Sequence, residues 1–205
     1  MSAHAATLGD GHAAPAEQHV SAYHKSLLRS PVFLGMVIFL GSEIMLFGSF
    51  FTAFFYIRFT HHPWPPPGIE VPAASTAINT AILITSSFTM HWALISASRG
   101  KRFGLVFGLF LTLFLGLTFL SLQIHEYINL NFTPSTDAFG SGFFALTGLH
   151  GFHVFLGCTL LTIAFVRSWR GHYSPDDHIG LEVTGLYWHF VDVVWILLYT
   201  VVYLL

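Results

Sequence analysis

The stretch Glu182 to Leu205, EVTGLYWHFVDVVWILLYTVVYLL, constrains the fold more than any other part of the chain. It is apolar and long enough to cross a bilayer, for which about 20 such residues suffice. Yet Glu182, His189 and Asp192 lie within it, beside Trp188 and Trp195. Ionisable groups inside a membrane span are costly and turn toward other protein. The stretch therefore demands neighbours, and the rest of the chain supplies them. Only 9% of the residues are charged and 54% are hydrophobic, whereas a soluble domain carries about 25% charged residues. Further apolar runs cover roughly 32–57, 73–98, 104–130 and 139–166, with the last span at about 180–204. The expected fold class is an all-α integral membrane protein, a bundle of five transmembrane helices. It divides into a polar tail over 1–30 and one membrane domain over 31–205.

The connections support this division. The tail, with His4, His12, His19 and His24, has the composition of a disordered segment. Met1 to Val20 does not read as a cleaved signal peptide, because no apolar core follows a basic end. Pro31 suits the first turn of a helix. The run HHPWPPPG at 61–68 forbids regular helix and stiffens the link to the second span, with Trp64 placed at headgroup level. That second span is rich in Ser, Thr and Ala, which lets membrane helices approach closely. The short loop Arg99-Gly-Lys-Arg102 makes spans two and three a hairpin. With the N-terminus in the cytoplasm, the inner segments hold Lys25, Arg29, Arg99, Lys101, Arg102, Arg167 and Arg170, and the outer segments only Arg58. The positive-inside rule then gives a cytoplasmic N-terminus and an external C-terminus. A net charge of −2 without a basic patch gives nucleic acid no footing. The single Cys158 excludes an internal disulfide and a CxxC motif.

Depth organises the remaining polar groups. At about 1.5 Å rise per residue, Glu43, His150, His153 and His189 all fall near the middle of a core roughly 30 Å thick. His150 and His153 are one helical step apart, as are His189 and Asp192, and Glu182 is on a similar face to His189. Three readings stand side by side. The histidines at one depth suit haem or metal ligation, a chain of ionisable groups suits a proton path, and the same groups suit hydrogen bonding across helices or to a partner. A di-iron or copper site wants more, such as Glu-x-x-His pairs on several helices, and none occurs here. The abundant phenylalanines read as packing and lipid contact.

Three longer motifs narrow the choice. They are GSE at 41–43 followed by FFTAFFYIR at 50–58, FFALTGLHGFHVFLG at 143–157, and YWHFVDVVWILLY at 187–199, with WPPPGI at 64–69 and QIHEY at 123–127 between them in order. In these the chain resembles subunit III of the haem–copper oxidases, most closely the cytochrome c oxidase type in its short five-helix bacterial form, over roughly Ser30 to Leu205. The resemblance implies an accessory, non-redox subunit of a proton-pumping oxidase in aerobic respiratory electron transport, embedded in a bacterial plasma membrane. It implies no catalytic residue and no metal ligand in this chain. Haem and copper belong to the partner subunits I and II, a small subunit IV is a possible neighbour, and cytochrome c donates electrons to the complex. The subunit's implied roles are stabilising the catalytic subunit, organising phospholipid and supporting proton uptake.

Residue by residue, the resemblance makes Glu43 the family's carbodiimide-reactive carboxyl. Glu43, Arg167 and His172 become lipid-binding candidates. His150, His153, Glu182, His189 and Asp192 become a structural polar network. On the inner face His172, Asp176, Asp177 and His178 form a candidate proton antenna, against the plainer reading of a solvated loop. Many family members have two further N-terminal spans that wall the lipid cleft, and this chain does not show them. Alternatives from other classes are the equivalent subunit of a quinol oxidase or of a nitric-oxide-reducing relative, an independent proton transporter, and a stand-alone haem protein.

Overall fold

A computed structural model describes residues 30 to 205 apart from 65, 70 and 176. The histidine-rich tail through residue 29 and Asp176 thus lie outside the described residues. The chain runs through α1 (Pro31–Thr60), α2 (Ala73–Ser98), α3 (Arg102–Asn129), α4 (Ala138–Trp169) and α5 (Ile179–Tyr199), with a closing π-helical turn at Thr200–Leu204. All five helices are long and apolar enough to cross a membrane.

Local chemistry sets most of the ends. Pro31 opens α1, where its missing N–H costs nothing. The α1 helix runs on to Thr60 before the proline-rich link begins. In that link Trp64 packs edge-on against Phe54 and Phe139, with ring centroids 5.4 and 4.9 Å away. The Asp137 carboxylate caps α4 by accepting from the Gly140 N–H at 2.7 Å, the usual role of an acidic N-cap. Gly100, at φ +66°, closes the α2–α3 turn in the left-handed region that favours glycine. There the N–H groups of Gly100 and Lys101 return to the carbonyls of Ala97 and Ser96.

The packing order is a closed ring of four with one addition. The contacting pairs are α2–α3, α3–α4, α4–α5 and α5–α2, while α1 lies against α4 and α5. Small residues bring the ring helices close. A Cβ built on Gly108 would come within 2.9 Å of the Ala93 Cβ, and one on Gly104 within 2.5 Å of the Ser96 hydroxyl. Gly116 of α3 and Gly157 of α4 flank the fully buried Trp188 of α5; a Cβ at either would sit under 3.0 Å from the indole. The Trp188 indole N–H donates to Ser86 Oγ at 3.0 Å and that of Trp195 to Thr80 Oγ1 at 2.9 Å. The Ser/Thr-rich composition of α2 thus supplies acceptors for the tryptophans of α5, as buried indoles require.

The outer member, α1, is attached differently. Its buried residues are Leu40, Phe47 and Phe54, one heptad step apart, so a narrow seam faces the bundle. Val32, Ile38, Ile44, Met45 and Tyr56 stay exposed. At its C-terminal end the Arg58 guanidinium donates to the carbonyl of Leu205.

Candidate functional site

Glu43 falls one helical step after Leu40 and four residues before Phe47, on the seam that α1 turns to the bundle. There it meets α4. Its Oε2 lies 2.9 Å from His153 Nε2, with the two side chains 13% and 5% exposed. The other imidazole nitrogen, Nδ1, is 2.8 Å from the carbonyl of Leu149. A carbonyl only accepts, so Nδ1 carries a hydrogen. The contact at Nε2 therefore holds a single proton between nitrogen and carboxyl oxygen, giving either a neutral pair or an ion pair. Phe47 covers the imidazole at a centroid distance of 5.0 Å. The Tyr187 hydroxyl donates to the His153 carbonyl at 3.1 Å, so α5 also braces this turn.

A second polar centre joins α5 to α2. Ser87 Oγ donates to Asp192 Oδ2 at 2.5 Å and lies 2.9 Å from His189 Nδ1. One hydroxyl has one hydrogen. With that hydrogen given to Asp192, His189 Nδ1–H must be the donor to Ser87. The direction of the set is thereby defined: imidazole N–H to hydroxyl to carboxylate. Asp192 is buried, and its Oδ1 has no partner among the described residues.

His150 belongs to neither centre. It is fully buried among rings, 4.7 Å from Trp195 and 5.9 Å from Phe119, and neither ring nitrogen has a hydrogen-bond partner among the described residues. Glu182 is elsewhere again, at the start of α5, with Oε1 3.5 Å from His178 Nε2. The residues grouped as one polar network are thus divided among separate places. The sets Glu43–His153 and His189–Ser87–Asp192 each bridge two helices, the His178–Glu182 pair braces the start of α5, and His150 sits in the aromatic core. A step of three residues is about 60° short of a full turn, enough to aim His153 at α1 and His150 at α3 and α5.

The residues expected at an inner face also separate. Arg167 lies over the Tyr173 ring, 5.3 Å from its centroid. It follows His153 by 14 residues of continuous helix, about 21 Å along the axis, so Glu43 and Arg167 do not contact one headgroup. His172 and Asp177 are exposed, while His178 is buried. The His178 Nδ1 faces the Ser174 carbonyl at 3.2 Å. Burial works against the charged imidazolium, but the Glu182 carboxylate and the Ser174 and Pro175 carbonyls outweigh it and raise the pKa above its ordinary value.

Some contributors were not singled out by sequence reasoning. Ser87 was one hydroxyl in a Ser/Thr-rich span, and Tyr187 one aromatic among many. Glu126 stood in the QIHEY motif without a role. Its carboxylate accepts from Thr76 Oγ1 and from the Tyr203 hydroxyl, both at 2.9 Å, which ties α3 to α2 and to the C-terminal turn. Among the described residues, no group of three or more His, Cys, Asp or Glu side chains is placed to hold a metal ion.

The family profile described as "Cytochrome c oxidase subunit III" matches residues 12–205. A protein of Equus caballus named "Cytochrome c oxidase subunit 3" is 38% identical over 194 residues, covering 91% of this chain and 74% of its own. Proteins of the same name from Lumbricus terrestris and Thermostichus vulcanus are 41% and 40% identical, over 188 and 173 residues. The first match covers 88% of this chain and 73% of the relative, the second 84% and 86%.

Proposed function

The chain belongs to the cytochrome c oxidase subunit III family, and from that premise we propose how it serves the oxidase. As a multi-pass membrane subunit it is part of an oxidoreductase complex without being its catalytic part. In our reading it packs on subunit I in a bacterial plasma membrane, N-terminus inward, with subunit II and a small subunit IV in the same assembly. Cytochrome c feeds the complex, whose haem and copper reside in subunits I and II. The accessory chain sustains proton uptake and prolongs the working life of the catalytic subunit.

The observation that carries this reading is the meeting of two family motifs across one helix seam. The carboxyl of GSE contacts the second histidine of TGLHGFHV at 2.9 Å. A pair that shares one proton at mid-membrane holds α1 on the bundle without presenting an unpaired charge to lipid. Breaking it leaves a buried polar group unsatisfied and frees the helix whose outer face is most exposed. We assign the pair the task of keeping α1 docked while partner subunit and lipid cover its remaining faces. In this reading His172 and Asp177, exposed at the inner rim, exchange protons with solvent, and Arg167 meets a lipid phosphate, where a guanidinium binds well.

The test is purification through a tag on this chain, followed by an optical spectrum and mass spectrometry of what accompanies it. Co-purification of a-type haem, copper and two larger subunits supports the reading, and the copper motif of subunit II identifies the donor as cytochrome c rather than quinol. A colourless chain isolated alone would contradict it.

A further inference from the structure

At the end of the bundle opposite Arg167, a cavity of about 550 Å³ opens between the start of α2 and the end of α3. Its polar lining includes Ser75, Asn79, Glu126, Asn129 and Asn131, and no Lys or Arg among the described residues. Most donors of these side chains are spent within the protein. Asn79 Nδ2 bonds the Phe119 carbonyl at 3.4 Å, Asn129 Nδ2 the His125 carbonyl at 2.7 Å, and Asn131 Nδ2 the Gly68 carbonyl at 2.8 Å. The Ser75 hydroxyl donates to the Pro72 carbonyl at 3.0 Å. Because a carbonyl only accepts, each amide's orientation is determined. What remains to these side chains is mostly acceptors: three amide oxygens, a hydroxyl lone pair and the Glu126 carboxylate, against one N–H of Asn131. Asn79 is 2% exposed and its Oδ1 has no partner among the described residues, a state a buried acceptor holds only at a cost.

His125 adds a side-chain donor at a different address. Asn129 Nδ2 also reaches His125 Nδ1 at 3.0 Å; with Nδ1 accepting, the hydrogen is on Nε2, and His125 is exposed. The antiparallel helices add their ends. The N-terminus of α2, partly positive, lies beside the C-terminus of α3, partly negative. Val71, Ile78 and Leu122 make the apolar part of the wall. Acceptors around a buried amide oxygen, a donor at an exposed position and an apolar wall match a zwitterionic amphiphile.

We propose that this cavity is a binding site for a phospholipid with a primary-ammonium headgroup, the ammonium among the acceptors and the phosphate toward His125. The proposal rests on the reading of the chain as a membrane subunit. A trimethylated headgroup has no N–H to give these acceptors, and a headgroup with no cation has nothing to offset Glu126. A lone hard cation is the poorer occupant, since such ions want several oxygens at about 2.3–2.6 Å and this cavity is far larger.

The experiment uses the tagged complex, delipidated in detergent and offered dioleoyl phosphatidylethanolamine, phosphatidylcholine or phosphatidylglycerol, with bound lipid counted by native mass spectrometry. Wild type is expected to retain the ethanolamine lipid at least about tenfold over the choline lipid, in line with a charged hydrogen bond. Glu126→Gln weakens that preference. Leu122→Trp, at a partly exposed wall position that does not depend on the Glu126 contacts, abolishes it by filling the cavity. Equal retention of the three lipids, or a preference unchanged in both variants, would overturn the proposal. So would cross-linking of a partner polypeptide into the cavity from Asn131→Cys. The same spectra report whether the other subunits are present, so failure of the lipid site is distinguishable from failure of the oxidase reading.

Discussion

The α1–α4 and α5–α2 seams each hold a histidine and a carboxyl within a membrane span, but they join them differently. At the first, Glu43 and His153 come from two helices and touch directly. At the second, His189 and Asp192 come from one helix, and Ser87 of α2 stands between them. The direct pair leaves its proton free to sit on nitrogen or oxygen, while the serine-bridged set has a defined direction. The surroundings differ as well. The α5–α2 seam is reinforced by Trp188–Ser86, Trp195–Thr80 and the Tyr199 hydroxyl on the Ala73 carbonyl at 3.2 Å. The α1 helix has Glu43–His153, the Arg58–Leu205 bond and a single heptad stripe. A redundant seam tolerates the loss of one hydrogen bond, and a seam with one mid-span bond does not. On this account α1 is the helix most easily released from the bundle.

The largest expected effect comes from loading the redundant seam beyond its tolerance. Gly157→Ala drives a Cβ to 2.8 Å from Trp188, and overpacking of this kind costs about 1–3 kcal/mol. The displaced indole would pull away from Ser86, loosening α5–α2 while leaving Glu43–His153 in place. Denaturant titration of the purified complex, with tryptophan fluorescence as the readout, measures it. A fluorescence midpoint equal to wild type would show that the Trp188 slot is not rigid.

Next comes His153→Ala, which leaves Glu43 buried without its partner, at a cost of about 1–3 kcal/mol. Glu43→Gln is the sharper companion. The amide N–H can still donate to Nε2, so this variant should lose well under half as much stability. Limited proteolysis of the 61–72 link reads the release of α1 in each, and similar cleavage rates in the two would break the argument that one shared proton holds the seam.

Ser87→Ala should cost less than His153→Ala, because the other α5–α2 bonds remain. A double-mutant cycle of Ser87→Ala with Asp192→Asn is expected to give a coupling of about 0.6 kcal/mol, and no more than about 1.7 kcal/mol, the range known for hydrogen bonds inside membranes. A larger coupling would mean that the serine bridge, not the tryptophans, carries the seam.

The smallest effect lies outside both seams. The folded pKa of His178 is raised, since Glu182 and two carbonyls outweigh burial. Its contribution to stability is therefore complete below the unfolded value of about 6.5 and is lost as pH rises through the raised folded value. Hydrogen-exchange protection at Asp177–Ile179, corrected for the intrinsic exchange rate, should fall across that window in wild type and fall less in Glu182→Gln.

Particular residues show what could be read from the sequence and what could not. Five apolar runs gave five helices, because span length and the scarcity of charge leave little choice in a bilayer. Glu43 was conspicuous as a carboxyl in a span, and its depth matched that of His153. Depth alone says nothing of azimuth, so their contact was not legible. The same limit kept His150 and His153 together on paper, although α4 sits between two sets of neighbours and aims one at each. Ser87 was hidden because hydroxyls in α2 serve packing, indole acceptance and ion bridging alike. The acceptor-lined cavity depends on where each amide hydrogen is spent, which is a property of contacts and not of spacing.

We propose that this chain, not itself catalytic, keeps the oxidase assembly working. The decisive comparison is between the purified complex and the same complex stripped of this chain. Expected are unchanged haem and copper per catalytic subunit, a similar initial rate of oxygen consumption, and fewer turnovers before activity is lost. Haem or copper leaving with this chain, or an undiminished number of turnovers without it, would overturn the proposal.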